Sequence, residues 1–128
     1  MIDKENSSSK EQGSRIFSGH RALGYVANHV PSVTRYIHSR REHLVVTAVG
    51  RVFHTYGCAK LGLLSVSKIH PEEIACLAAD ASHVYTAAGS TIYAWRRGSE
   101  LKHTYVGHAA PVHLLLPFGP HFISIDTE

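Results

Sequence analysis

The chain repeats itself. Val45-Val46-Thr47-Ala48-Val49-Gly50 lies over Val84-Tyr85-Thr86-Ala87-Ala88-Gly89 at an offset of 39 residues, and the match runs on with Phe53 over Ile92 and Tyr56 over Trp95. A third copy follows at an offset of 38, with His70 falling on His108, Ile74 on Val112, His83 on His121 and Thr86 on Ser124. A fixed period means that one supersecondary unit recurs, each copy burying its apolar face on the next, and most other architectures are excluded at once.

The texture inside each copy identifies the unit. Apolar runs are four to six residues long, rich in Val, Ile, Thr and Tyr, and separated by Gly, Pro, Ser and His. No window sustains a period of 3.6, so the runs read as strands. The first copy predicts strands over 33–37, 43–48, 52–56 and 61–65, and the second over 74–78, 84–87, 92–95 and 101–105. The third gives 112–116 and 122–125, where the chain stops. Four short strands in about 40 residues make one blade of a β-propeller. The expected fold is therefore all-β, an incomplete propeller of about two and a half four-stranded blades truncated mid-blade. The blades should occupy residues of about 30–68, 69–106 and 107–128, the last incomplete. Ile16-Phe17, ahead of Gly19-His20, reads as an outer strand that completes the last blade of a closed ring. A free-standing β-sandwich is the alternative, and the repeat register disfavours it. Unpaired edges on a ring that cannot close predict marginal stability and poor solubility for this chain alone.

Composition narrows the setting. Residues 1–14 are rich in Ser, Lys, Glu and Gln and are expected to form a disordered polar tail. That opening predicts no signal peptide, and no apolar run is long enough for a spanning helix, so no membrane partner is expected. Cys58 and Cys76 stand 18 residues apart with no CxxC pair, which reads as two reduced thiols. The sequon at Asn6-Ser7-Ser8 is then silent. Thirteen basic against ten acidic residues give a net charge of +3, compatible with RNA or acidic-protein partners but far from histone-like.

Several residues resemble the WD repeat. Gly107-His108 looks like the pair that enters a blade, Trp95 like the Trp that ends the third strand, and Ser124 and Asp126 like the second-strand hydroxyl and the turn Asp. In that family His, Ser or Thr, Asp and Trp form a hydrogen-bonded relay that pins each blade. The resemblance thus implies structural roles for His70, Thr86, Trp95, His108, Ser124 and Asp126. The relay is incomplete here. Ala88 stands where the second blade needs Asp, and the first has Pro31, Thr47, Val49 and Tyr56 at the four places.

A narrower resemblance covers residues 14–128. Arg21-Ala22-Leu23-Gly24, Phe53-His54-Thr55-Tyr56, and the stretch from Gly107-His108 through Pro117-Phe118-Gly119 to Ile123-Ser124-Ile125-Asp126 resemble the N-terminal blades of one family. It is the WD repeat-containing protein 36 family, the Utp-twenty-one type subunit of the small-subunit processome. The resemblance implies a nuclear, nucleolar protein bound to the U3 small nucleolar ribonucleoprotein and needed for 18S ribosomal RNA maturation. It also implies two propellers and a C-terminal helical domain in the full family chain, most of which lies outside these residues.

Signatures of chemistry are weak. Eleven histidines invite a metal, but they are spread along the chain, and His103, His108 and His113 sit five apart with no Cys pair beside them, so no metal or other cofactor is expected. Ser65-Val66-Ser67-Lys68 spells SxxK, yet Ser65 ends a predicted outer strand and the partner motifs of acylating enzymes are missing. No GxSxG, GxxxxGK[ST] or GxGxxG occurs, so neither catalysis nor a small-molecule substrate is expected. The basic residues say more. In a four-strand meander the first and third connections of each blade emerge on one face. Arg40, Arg41 and Lys60 of the first blade and Arg96 and Arg97 of the second should therefore share one rim, partly offset by Glu42 and Asp80. Such a rim suits RNA phosphates, from pre-rRNA or U3 RNA, or an acidic protein segment. Tyr36, Phe53, Tyr93 and Trp95 read as core or blade-interface rings rather than base-stacking platforms.

The leading expectation is a non-catalytic scaffold in a ribosome-assembly particle, with other processome proteins as partners. The alternative is a WD adaptor of an unrelated complex, such as a ubiquitin-ligase receptor or a signalling scaffold, since propellers host many functions.

Overall fold

The computed structural model describes residues 16, 18 and 24–128. The polar tail at 1–14, Phe17 of the expected outer strand, the Gly19-His20 pair and Arg21-Ala22-Leu23 lie outside the described residues; Ile16 is exposed and belongs to no strand. Ten strands follow in chain order: β1 (Val33–Ile37), β2 (Glu42–Val49), β3 (Val52–Gly57), β4 (Gly62–Val66), β5 (Ile74–Ala79), β6 (Val84–Ala88), β7 (Thr91–Arg96), β8 (Glu100–Val106), β9 (Val112–Phe118) and β10 (His121–Asp126). They form two four-stranded antiparallel meanders, β1-β2-β3-β4 and β5-β6-β7-β8, and a third sheet of β9 and β10. No helix occurs among the described residues. The fold is that of a partial WD propeller.

Local chemistry sets the turns. Gly50 and Gly89 occupy the tight connections β2–β3 and β6–β7 at φ of 63° and 60°, a region that a Cβ disfavours. A Cβ on Gly89 would also lie 2.3 Å from Glu72 Oε2. The backbone irregularities recur with the repeat. Register shifts fall between Thr55 and Tyr56 on β3 and between Ala94 and Trp95 on β7, one period apart.

The core is also periodic. Between the first two sheets it includes Val46, Ala48, Phe53, Ile74, Leu77 and Val84. Between the second and third, Tyr85, Ala87, Ile92, Val112, Leu115 and Phe122 stand one repeat further along and pack together in the same way. The amide of Ile74 bonds the carbonyl of Gly50, and that of Val112 the carbonyl of Gly89, each at 2.9 Å. Each sheet is thus held to the one before it by a wall of buried side chains and by a backbone bond at the same place. Burying a side chain the size of Phe53, fully inaccessible here, contributes about 1.5–3 kcal/mol.

The repetition is not strict in two places. Val33 pairs with Val46, whereas Ala78 pairs with Tyr85, the counterpart of Val46, so the first hairpin is longer and runs on to Ile37 opposite Glu42. That overhang moves the place corresponding to His70 upstream of Pro31. The third sheet presents Leu114, Leu116, Ile123 and Ile125 at 37–51% exposure, while their counterparts Cys76, Ala78, Tyr85 and Ala87 are buried under the next sheet.

Candidate functional site

The buried polar groups cluster at the sheet boundaries. His70 precedes β5, is 2% exposed, and is ringed by Phe53, Tyr93 and Trp95 with ring centroids 5.1–6.3 Å away. Its Nε2 lies 2.7 Å from Thr86 Oγ1, and Trp95 Nε1 donates to the same oxygen at 2.9 Å. Its Nδ1 lies 2.8 Å from the carbonyl oxygen of Arg51, in the β2–β3 turn of the preceding sheet. A carbonyl only accepts, so Nδ1 carries the hydrogen and Nε2 accepts from the Thr86 hydroxyl. Every polar hydrogen is then placed: indole to threonine, threonine to imidazole, imidazole to backbone. The chain closes only with a neutral imidazole, and burial pushes the pKa of His70 down, against the raising effect of the Arg51 and Lys68 backbone groups.

In the third sheet, His108 stands between Asp126 Oδ2, 2.8 Å from Nδ1, and Ser124 Oγ, 2.7 Å from Nε2. The bond from His108 holds the Asp126 carboxyl below its usual range. Here the carboxylate takes the part that the Arg51 carbonyl plays for His70, which accounts for Ala88 standing where an Asp was expected. In the first sheet no histidine stands at the place corresponding to His70, and Thr47 donates to the carbonyl of Val26.

Of the five basic residues expected on one rim, three line a common recess. Arg40, Arg96 and Arg97 border one recess of about 460 Å³ between the first and second sheets. Arg41 and Lys60, in the β1–β2 and β3–β4 connections, do not line it. The overhanging first hairpin forms one wall, adding Arg35, Ile37 and Leu44, and the short β5–β6 turn at Ala81 and Ser82 faces it. Arg96 and Arg97 are brought in by the β7–β8 turn. There Arg97 and Gly98 both take positive φ, and Gly98 fits so closely on Ser65 that a Cβ would fall 2.0 Å from its Oγ. Sequence reasoning missed Arg35 because it sits inside a strand, where a basic residue signals only an outward position. Its Nη2 donates to the carbonyl of Ala81 at 3.0 Å. Burial pushes its pKa down, and the charge of Asp80 opposes that. Arg40 pairs with Glu42 at 3.4 Å.

The remaining candidates are dispersed. Ser65 lies in β4 against Gly98, and Lys68 is exposed in the loop beyond. Among the described residues no three His, Cys, Asp or Glu side chains converge in a metal-holding arrangement. Phe53 and Trp95 are buried as expected, but Tyr36 is 38% exposed and packs on His38 and His43 rather than in the core. Strand alternation explains it: Arg35 and Ile37 turn toward the second sheet, so Tyr36 between them faces the other way.

Comparison with known proteins follows the same lines. Residues 45–128 match the family model described as the WDR36/Utp21 first beta-propeller. The chain is 44% identical over 124 residues to human WD repeat-containing protein 36, an alignment covering 97% of this chain and 14% of that protein. It is 43% identical over 95 residues to the U3 small nucleolar RNA-associated protein 21 homolog of Schizosaccharomyces pombe, covering 73% of this chain and 10% of that protein. To U3 small nucleolar RNA-associated protein 21 of Saccharomyces cerevisiae it is 34% identical over 126 residues, covering 98% of this chain and 13% of that protein. The chain therefore spans a small part of the length of these relatives. The blade architecture, the shared hydrogen-bonded positions and these matches agree: the chain belongs to the WDR36/Utp21 family, and residues 45–128 to its first β-propeller.

Proposed function

We propose that this chain is part of a non-catalytic scaffold of the U3-containing small-subunit processome, acting in the nucleolus in pre-rRNA processing and 18S rRNA maturation. The observation that carries this reading is membership of a family two of whose relatives are named for association with U3 small nucleolar RNA. On this reading His70, Thr86, Trp95, His108, Ser124 and Asp126 do structural work. Each set ties a strand to its neighbours by hydrogen bonds among buried or half-buried polar groups. The partners are other proteins of the particle and its RNA, and the face that bears Arg40, Arg41, Lys60, Arg96 and Arg97 is where they dock.

Affinity purification of the tagged full-length protein from nuclear extract, with sequencing of the RNA that accompanies it, tests the proposal. Enrichment of U3 RNA and of 18S precursors is the expected outcome. Recovery of a defined protein complex with neither RNA enriched would overturn it and leave an adaptor of another assembly.

A further inference from the structure

We propose that the recess between the first two sheets is an anion pocket that takes a carboxylate side chain from an acidic, partly apolar protein segment. Three observations carry it. Arg35, Arg40, Arg96 and Arg97 converge on the recess, and among the described residues no carboxylate lines it. The nearest acidic groups are placed otherwise: Glu42 against Arg40, Asp80 in bonds from His83, Ser82 and Tyr85, and Glu100 on Lys102. Second, two buried polar atoms of the lining, Arg35 Nε and Thr55 Oγ1, have no hydrogen-bond partner among the described residues, and Thr55 is only 5% exposed. Such groups are rare in folded proteins because each carries a full desolvation penalty, and because both atoms are covered, a ligand oxygen gives them a partner as the lining side chains shift. Third, Ile37, Leu44 and Leu64 form an apolar flank beside the charge.

The apolar flank selects a protein over RNA. Among the described residues no aromatic ring lines the recess to stack a base, and a phosphodiester is hemmed by a sugar on either side. A glutamate or aspartate on a flexible stem reaches in alone, and its neighbours lie on the leucines and isoleucine. The guanidinium fork of Arg35 then gains a charge-assisted bond, the kind that carries most affinity and specificity at such sites. The inference does not depend on which assembly the protein serves, so it can fail while the U3 reading stands, and the reverse.

The test uses the full-length protein and two fluorescein-labelled probes, a short peptide of alternating glutamate and leucine and a short oligouridine, followed by anisotropy. Arg35→Gln, Thr55→Val and the double variant Arg96→Glu/Arg97→Glu are compared with the unaltered protein. Peptide affinity is expected to fall about tenfold or more in Arg35→Gln and in the double variant, and severalfold in Thr55→Val, whose thermal melt is unchanged or raised. Thr55→Val keeps the test decisive if Arg35→Gln folds poorly. No peptide binding by the unaltered protein, or affinity in Thr55→Val and the double variant equal to that of the unaltered protein, would overturn the proposal. Loss of oligouridine binding in Thr55→Val, with the peptide unaffected, would assign the recess to RNA instead.

Discussion

Two buried threonines allow one substitution to be read in opposite directions. Thr86 is fully inaccessible, and its hydroxyl accepts from Trp95 Nε1 while donating to His70 Nε2. Thr86→Val keeps the shape and removes that oxygen, leaving an indole N–H and an imidazole nitrogen buried without partners. Each orphaned group costs about 1–3 kcal/mol, and because both relax into the same small space the pair should cost about 2–4 kcal/mol. Thr55 is nearly as buried, but its hydroxyl has no partner to lose. Thr55→Val removes an unsatisfied oxygen and should leave stability unchanged or raise it by about 1 kcal/mol. Urea unfolding followed by the fluorescence of Trp95, the only tryptophan in the sequence, reads both variants against the unaltered chain. If the two valine variants move the midpoint alike, or Thr86→Val lies within about 0.5 kcal/mol of the unaltered chain, the account of the hydrogen-bonded chain is refuted.

Three further outcomes are expected. His70 resists protonation in the fold, so below the free imidazole pKa of about 6.5 the unfolded chain binds a proton that the native chain does not. Stability should therefore be full above that pH and decline as pH falls through it, and His70→Gln should flatten the decline in urea midpoints between neutral and acid pH. Burial pushes the Cys76 thiol up to about 11, while Cys58 is exposed. Iodoacetamide near pH 8 should then modify Cys58 alone until urea is added, as read by mass spectrometry. Phe53→Ala, at the centre of the first inter-sheet wall, should cost about 3–5 kcal/mol, and a loss of less than about 1 kcal/mol by urea unfolding would contradict the packing described.

Period and texture made the strands legible before any coordinates. The strand expected at 33–37 is β1, and the other nine expected strands differ from the observed ones only at their ends. Repetition amplifies a weak local signal, because each blade restates where Val, Ile and Thr must alternate with turns. The same reliance on period hid what is not periodic. The longer first hairpin can be seen only from the pairing of Val33 with Val46, and so the overhang that carries Arg35 over the recess had no signature. Arg41 and Lys60 were grouped with Arg40, Arg96 and Arg97 because topology assigns loops to a face, but a face is wider than a recess. The partner of His70 escaped notice for another reason. It is a main-chain oxygen, which no residue type announces.

That oxygen has a consequence for how the protein can change over generations. A relay that ends on a carboxylate, as His108 does on Asp126, is hostage to one codon, since most replacements of the Asp remove the acceptor. A relay that ends on the Arg51 carbonyl is indifferent to the side chain at that position, because every amino acid supplies the same oxygen. Position 51 can therefore drift in charge and size while the imidazole keeps its tautomer, whereas the β2–β3 turn that aims the carbonyl cannot change its path. The constraint on this blade has moved from the identity of a residue to the shape of a loop. A substitution such as Gly50→Val, which forces a left-handed turn residue out of its φ of 63°, should disturb His70 across the sheet boundary although it touches no member of the relay.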